Sequence, residues 1–146
     1  TTAANEIFLT HTGGTDVNNI IATAIEWDSV GVSGSSYFWS GSSEIQILDA
    51  GDYEISYNIP MTSQSNKNIA IGMNLILNGS TVIDLSAGGA WMGATGAAAN
   101  VGVPTFIYTF AANDVILLAG FRTAADGSVL TELTGSIMIK KKNTLQ

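Results

Sequence analysis

Gly51-Asp52-Tyr53-Glu54-Ile55-Ser56-Tyr57-Asn58-Ile59 alternates polar and apolar residues. Period-two alternation marks a strand with one face buried and one face wet. A helix would gather its apolar residues at spacings of three and four instead. Two further stretches support this reading. Asn113-Asp114-Val115-Ile116-Leu117-Leu118 is a turn running into an apolar strand, and Thr134-Gly135-Ser136-Ile137-Met138-Ile139-Lys140 closes the chain with one more short strand. In this order the strand signals specify an architecture better than an activity. They point to an all-β sandwich of two sheets that assembles, and away from an enzyme.

Upstream of that stretch, Asp49-Ala50-Gly51-Asp52 is a turn. Before it stand residues 44–48 and Tyr37-Phe38-Trp39, both strand-like. Downstream, Ile69, Ile71, Met73, Leu75 and Leu77 alternate strictly and run into Asn78-Gly79. This dipeptide is the strongest short hairpin signal, because both central residues of a type I′ turn need positive φ. Residues 81–85 are the return strand. Residues 86–102 read as a long loop of small residues with Trp91 embedded in it. Pro104 opens a strand over 105–110 that sets Phe106, Tyr108 and Phe110 on one face. Residues 115–121 are nearly all apolar, Val129-Leu130 is a short element, and 135–140 is the last strand.

The N-terminal part is less regular. Residues 20–27 fit a helical stripe through Val17, Ile20, Ile21 and Ala24, and period two through Ile21, Thr23, Ile25 and Trp27; β-branched density favours a strand. Residues 1–19 are polar and turn-rich around His11, and read as a leader or linker, the exit of a stalk. That leaves 20–146 as one domain. No helix is strongly predicted, no internal repeat is visible, and the strand spacing suits a sandwich.

A chain of 146 residues is long enough for one substantial core. Charged residues make up 12% of it, about half of the roughly 25% usual for soluble domains, while apolar residues make up 46%. So little charge requires either great compactness or surface hidden in an oligomer. The net charge is −7, and three of the five basic residues are the consecutive lysines 140–142, leaving only Lys67 and Arg122 elsewhere. Binding along a phosphate backbone needs Lys and Arg spread over a face, so the distribution argues against it and no nucleic-acid partner is expected. The lysine run reads as a solvated end that keeps the last strand from pairing outward; contact with an acidic partner is the alternative. With no cysteine, disulfides, Cys-type zinc sites and thiol nucleophiles are excluded. No apolar run reaches the ~18–20 residues of a membrane span, and no signal peptide is visible. The start at Thr1 points to processing, or to excision from something longer.

The ordered set of signals resembles the C1q/TNF-like jelly-roll superfamily. The matching pieces are the Ala50, Gly51 and Tyr53 strand start, the Asn78-Gly79 hairpin, the turn at Asn113 and Asp114 before Val115, Ile116 and Leu117, and the closing strand from Thr134 to Ile137. Within that superfamily the chain is most similar to prokaryotic and viral members, such as spore-surface heads and the tips or decorations of phage particles. It departs at Asn113, where the family favours Gly, and in lacking an aromatic before the Gly of the closing strand. The resemblance implies a trimeric, non-catalytic recognition head, commonly at the end of a fibrous stalk.

A physical argument runs the same way. Ile107 interrupts the polar side of its strand, and residues 115–119 and 137–139 are apolar on both faces. Such strands need cover on both sides. The sandwich core covers one side; loops or a neighbouring subunit in a closed threefold ring cover the other. Phe106, Tyr108, Phe110, Leu117, Ile137 and Ile139 are therefore candidates for either the core or a trimer seam.

Chemistry is sparse. His11 is the only histidine, so a Ser-His-Asp triad would have to use it, and it reads as an exposed loop residue. No cluster has zinc spacing. Asp49, Asp52 and Glu54 offer oxygens for Ca²⁺, with a solvated turn as the plainer reading. Nothing favours any carboxylate pair for glycoside hydrolysis. The Gly-rich run matches no phosphate cradle. Asn78-Gly79-Ser80 fits the glycosylation sequon, but the turn explains it. Trp91 is the candidate ligand-binding residue, as an anchor for a sugar or protein, with satellite packing as the alternative. Trp27 and Trp39 read as core. No catalytic residue, metal or cofactor is expected.

The expected function is a homotrimeric structural or recognition head on a virion surface or otherwise extracellular. Its partners would be itself, a fibrous stalk or capsid protein, and host-surface carbohydrate or protein, without membrane insertion. A secreted lectin-like module and a jelly-roll hydrolase are the rivals. A cleft with two facing carboxylates would favour the hydrolase.

Overall fold

The computed structural model describes residues 5–13, 17, 23–63, 69–92, 98–124, 129–131 and 135–142. They form two antiparallel sheets packed face to face. The strands are β1 (Glu6–His11), β2 (Thr23–Ala24), β3 (Ser29–Ser33), β4 (Tyr37–Trp39), β5 (Glu44–Ile47), β6 (Gly51–Ser63), β7 (Ile69–Leu77), β8 (Thr81–Met92), β9 (Ala98–Phe110), β10 (Asp114–Ala124), β11 (Val129–Thr131) and β12 (Gly135–Lys141). Among the described residues no helix is long and apolar enough to cross a membrane.

The long alternating stretch is the spine of the first sheet. β6 pairs with β9 along residues 51–62, with β12 along 53–58 and with β11 at 61–63. β12 then pairs with β1, and β1 with β3. The second sheet runs β4-β5-β10-β7-β8, with β2 beside β10. The Asn78-Gly79 turn joins β7 to β8 with φ of 51° and 77°, as a type I′ turn demands. Asn78 also ties this turn to the next one. Its Oδ1 accepts from Val115 N at 2.9 Å, and its Nδ2 donates to Asp114 Oδ1 at 3.0 Å.

The core lies between the sheets. Tyr53, Ile55, Tyr57, Ile59 and Met61 point in from β6, and Ile45, Ile47, Ile71, Met73, Leu75, Ile116 and Leu118 meet them from the second sheet. Each such side chain contributes roughly 1.5–3 kcal/mol by leaving water. Tyr37, Tyr53 and Phe110 meet edge to face, with centroids 5.8 and 5.6 Å apart. Trp27 is 2% exposed, and Trp39 packs against the core from its margin.

Four sequence expectations need correction. Residues 1–19 are not simply a leader, because Glu6–His11 is a strand between β12 and β3, with Ile7 and Leu9 fully buried. Its alternation is short and its inward side ends on a polar residue, so it passed for linker. His11, expected in water, is 3% exposed. Residues 86–102 are not one loop: β8 runs on to Met92 and β9 begins at Ala98. The lysines do not shield an edge, because β12 is an inner strand between β6 and β1. Lys140 instead lies opposite Glu54 on one side and Glu6 on the other.

Candidate interaction surfaces

Alternation along each strand sorts the sequence-derived candidates. Phe106, Phe110, Ile137 and Ile139 point inward and are 9%, 1%, 1% and 0% exposed. Tyr108 packs partly buried against the same cluster, 4.9 Å from the Phe110 ring. Phe106 and Ile139 both flank Ile55, so these residues form connected rows across the inside of the first sheet. Leu117 is apart from them. It is half-buried on the outward face of the second sheet, between Glu44 and Ile76. The backbone of Trp91 lies in β8 opposite Ala70, and its side chain falls outside the described residues.

The intervening residues make the outward faces. On the first sheet, Met138 of β12 sits between Ser56 of β6 and Phe8 of β1, and Phe8 is paired with Val32 of β3. Phe8 and Met138 are half-buried and Val32 is exposed. This apolar row runs into a concavity of about 450 Å³ lined by Ser56, Asn58, Gly102, Pro104, Ser136 and Met138, among others. The concavity lies where the β6–β9 register shifts between Ile55 and Tyr57. Pro104, which has no N–H to give a ladder, sits on edge strand β9 beside this shift. Among the described residues no carboxylate and no cation lines the concavity. The exposed Ile107 lies on β9 opposite Glu54.

The basic run lies at one end of this face. Lys142 Nζ is 3.7 Å from Glu54 Oε1, with both groups well exposed. Such a pair contributes at most about 1 kcal/mol. Asp49, one of the candidate Ca²⁺ ligands, accepts from Ser36 Oγ at 2.6 Å. Among the described residues no group of three or more His, Asp or Glu is placed to hold a metal.

His11 serves structure. Its Nδ1 is 2.6 Å from Glu26 O and 3.9 Å from Asp28 Oδ2, and its ring meets Trp27 edge to face at 6.4 Å. A ring nitrogen committed to a backbone carbonyl is not free to serve as a general base. Hydrogen bonds from Thr12, chiefly its backbone N–H, hold the Asp28 carboxyl below the usual carboxylate range.

No known protein family's model matches the chain. No curated protein matches it either. Solved structures do. The globular domain of zebrafish complement 1qA protein superposes with a TM-score of 0.68 at 7% identity, over 98% of this chain and 100% of that one. An Eiger TNF from S. frugiperda gives 0.65 at 11%, over 97% and 96%. Murine APRIL gives 0.60 at 10%, over 94% and 99%. The chain has the TNF/C1q jelly-roll fold. The match extends over nearly the whole length of both partners, so the jelly roll includes β1 as well as the closing strand. At these identities the likeness carries the architecture, and function has to be argued from the surfaces.

Proposed function

We propose that this jelly roll is a non-enzymatic recognition head that assembles as a homotrimer. It is displayed extracellularly on a virion or cell surface, as a decoration, fibre tip or attachment domain. The observation that carries the reading is the outward face of the first sheet. Its row of Phe8, Met138 and Val32 leads into a concavity lined, among the described residues, by no ionised side chain, in a chain whose net charge is −7. Interface cores are depleted in charge and enriched in Met and aromatics in the same way. A heterologous ring of three copies covers one such face per subunit and leaves none open. Among the described residues no pair of carboxylates faces into the concavity, whereas glycoside hydrolysis uses two. The zebrafish neighbour is described as a globular domain; the head proposed for this chain would be carried by a stalk or capsid protein.

Met138→Glu tests the seam. Met138 points out of its own subunit's core, so the variant folds, but it buries an unpaired charge in the assembly at a cost of several kcal/mol. Sedimentation velocity should show a smaller particle than the parent, with an unchanged far-ultraviolet circular dichroism spectrum. A variant with the parent's particle size would remove this face from the interface.

A further inference from the structure

We propose that the outward face of the second sheet carries a binding site for a neutral pyranose, centred on Phe38. The proposal rests on the recognition-head reading and gives that head its ligand class. Phe38 of β4 lies directly opposite Gln46 of β5, and Gln46 lies opposite Val115 of β10. The three form one row facing away from the core, since Tyr37, Ile45 and Ile116 on either side of it are buried. Phe38 is 54% exposed. Together with Ser40 and Glu44 the row encloses a depression of about 120 Å³.

A pyranose presents an apolar face of C–H groups and a rim of hydroxyls that both donate and accept. The depression offers the complement. The phenyl ring of Phe38 and the methyls of Val115 supply the apolar floor. The Glu44 carboxylate accepts, the Gln46 amide donates and accepts, and the Ser40 hydroxyl does both. Among the described residues no cation lines it, and the chain is acidic overall, so anionic sugars and phosphates are disfavoured. Glu44 is its single carboxylate among the described residues, one short of the pair that glycoside cleavage uses, so the site holds a sugar without cutting it.

The site is already organised. Trp39 Nε1 donates to Ser42 O at 2.7 Å and pins the turn that carries Ser40. Ser42 Oγ accepts from Glu44 N at 3.3 Å, and Gln46 Nε2 reaches Asn113 Oδ1 at 3.5 Å. The turn and the Gln46 amide are thus held before a ligand arrives, which lowers part of the ordering cost of binding. The site is on the opposite sheet from the proposed seam. A trimer therefore presents three copies, and multivalency can raise the weak grip of a single ring by about 10²–10⁴.

The test is saturation-transfer difference NMR on the intact chain. The probes are the methyl glycosides of glucose, galactose, mannose and N-acetylglucosamine, with N-acetylneuraminic acid as the acidic comparison. The expected result is transfer to at least one neutral glycoside and none to the acid. The signal should be lost in Phe38→Ala and kept in Phe38→Trp. Gln46→Leu, which keeps the side chain's bulk, should weaken binding about tenfold through one lost hydrogen-bonding partner, and serves if Phe38→Ala fails to fold. Oligomeric mass on the same samples reads the head proposal separately. No transfer to any neutral glycoside, transfer only to the acid, or a signal that survives Phe38→Ala would overturn the proposal.

Discussion

The hydroxyl of Tyr57 crosses from the first sheet to the second. It donates to Ser86 O at 2.6 Å, with Met73 O also within 3.2 Å. Ser86, itself fully buried, accepts from Leu75 N at 2.6 Å where the β7–β8 register shifts between Met73 and Leu75. One tyrosine and one serine thus satisfy the backbone that the irregularity leaves without ladder bonds. Tyr37 bridges to Asn5 O at 2.8 Å and Tyr53 to Asp49 O at 2.6 Å. Burial raises the hydroxyl pKa of all three. They stay protonated when folded at a pH where an unfolded tyrosine, with pKa near ~10, ionises. Below that pH they leave stability unchanged with pH. Above it the folded state holds more protons than the unfolded one, and stability falls with rising pH by about 1.4 kcal/mol per unit per tyrosine. Phenolate absorbance during an alkaline titration should therefore rise in a cooperative step together with loss of circular dichroism. Smooth, reversible ionisation of Tyr37, Tyr53 and Tyr57 near pH 10 with the fold intact would refute this.

At the scale of elements, β8 and β9 show what small residues do here. A Cβ on Gly88 would lie 2.7 Å from Gly102 O, and one on Gly102 would lie 2.7 Å from Tyr57 O. The two strands meet backbone to backbone along this edge of the sandwich. Gly88→Ala pushes a methyl from β8 against the Gly102 carbonyl of β9, and should destabilise the fold by about 1–3 kcal/mol. Urea unfolding should show a lower midpoint with an unchanged slope; an unchanged midpoint would mean that the strands can part freely. The same contact explains why this region was illegible in the sequence. Alternation reports side chains packing on side chains, and Gly88-Gly89-Ala90 has almost none to report. β1 was missed because Ile7 and Leu9 offer only two apolar beats before the inward position falls to His11. By contrast β6, β7 and the Asn78-Gly79 turn were plain, since strict alternation and positive-φ residues leave few other conformations. No sequence signal joins Phe38 to Gln46, because a hairpin, not sequence distance, makes them neighbours. The available signal was the Tyr-Phe-Trp triplet: two aromatics of a strand face the core, so the one between them faces out.

Across the whole molecule, the two outward faces are suited to different tasks. The first sheet's face is apolar along Phe8 and Met138 and hollowed beside the Pro104 shift. The second sheet's face mixes Phe38 and Val115 with Glu44, Gln46 and Ser40. The sequence already implied a second apolar face through Ile107 and Met138, and through a charge content of 12%. It did not say which side chains would be free to make a seam, because Phe106, Phe110, Ile137 and Ile139 are spent on their own subunit's core. The proposed seam therefore falls to the residues between them. It is tested most directly by the mass of the unmodified protein. Multi-angle light scattering at micromolar concentration should return about three times the 15.2 kDa chain mass. A single-chain mass at every concentration tried would contradict the account.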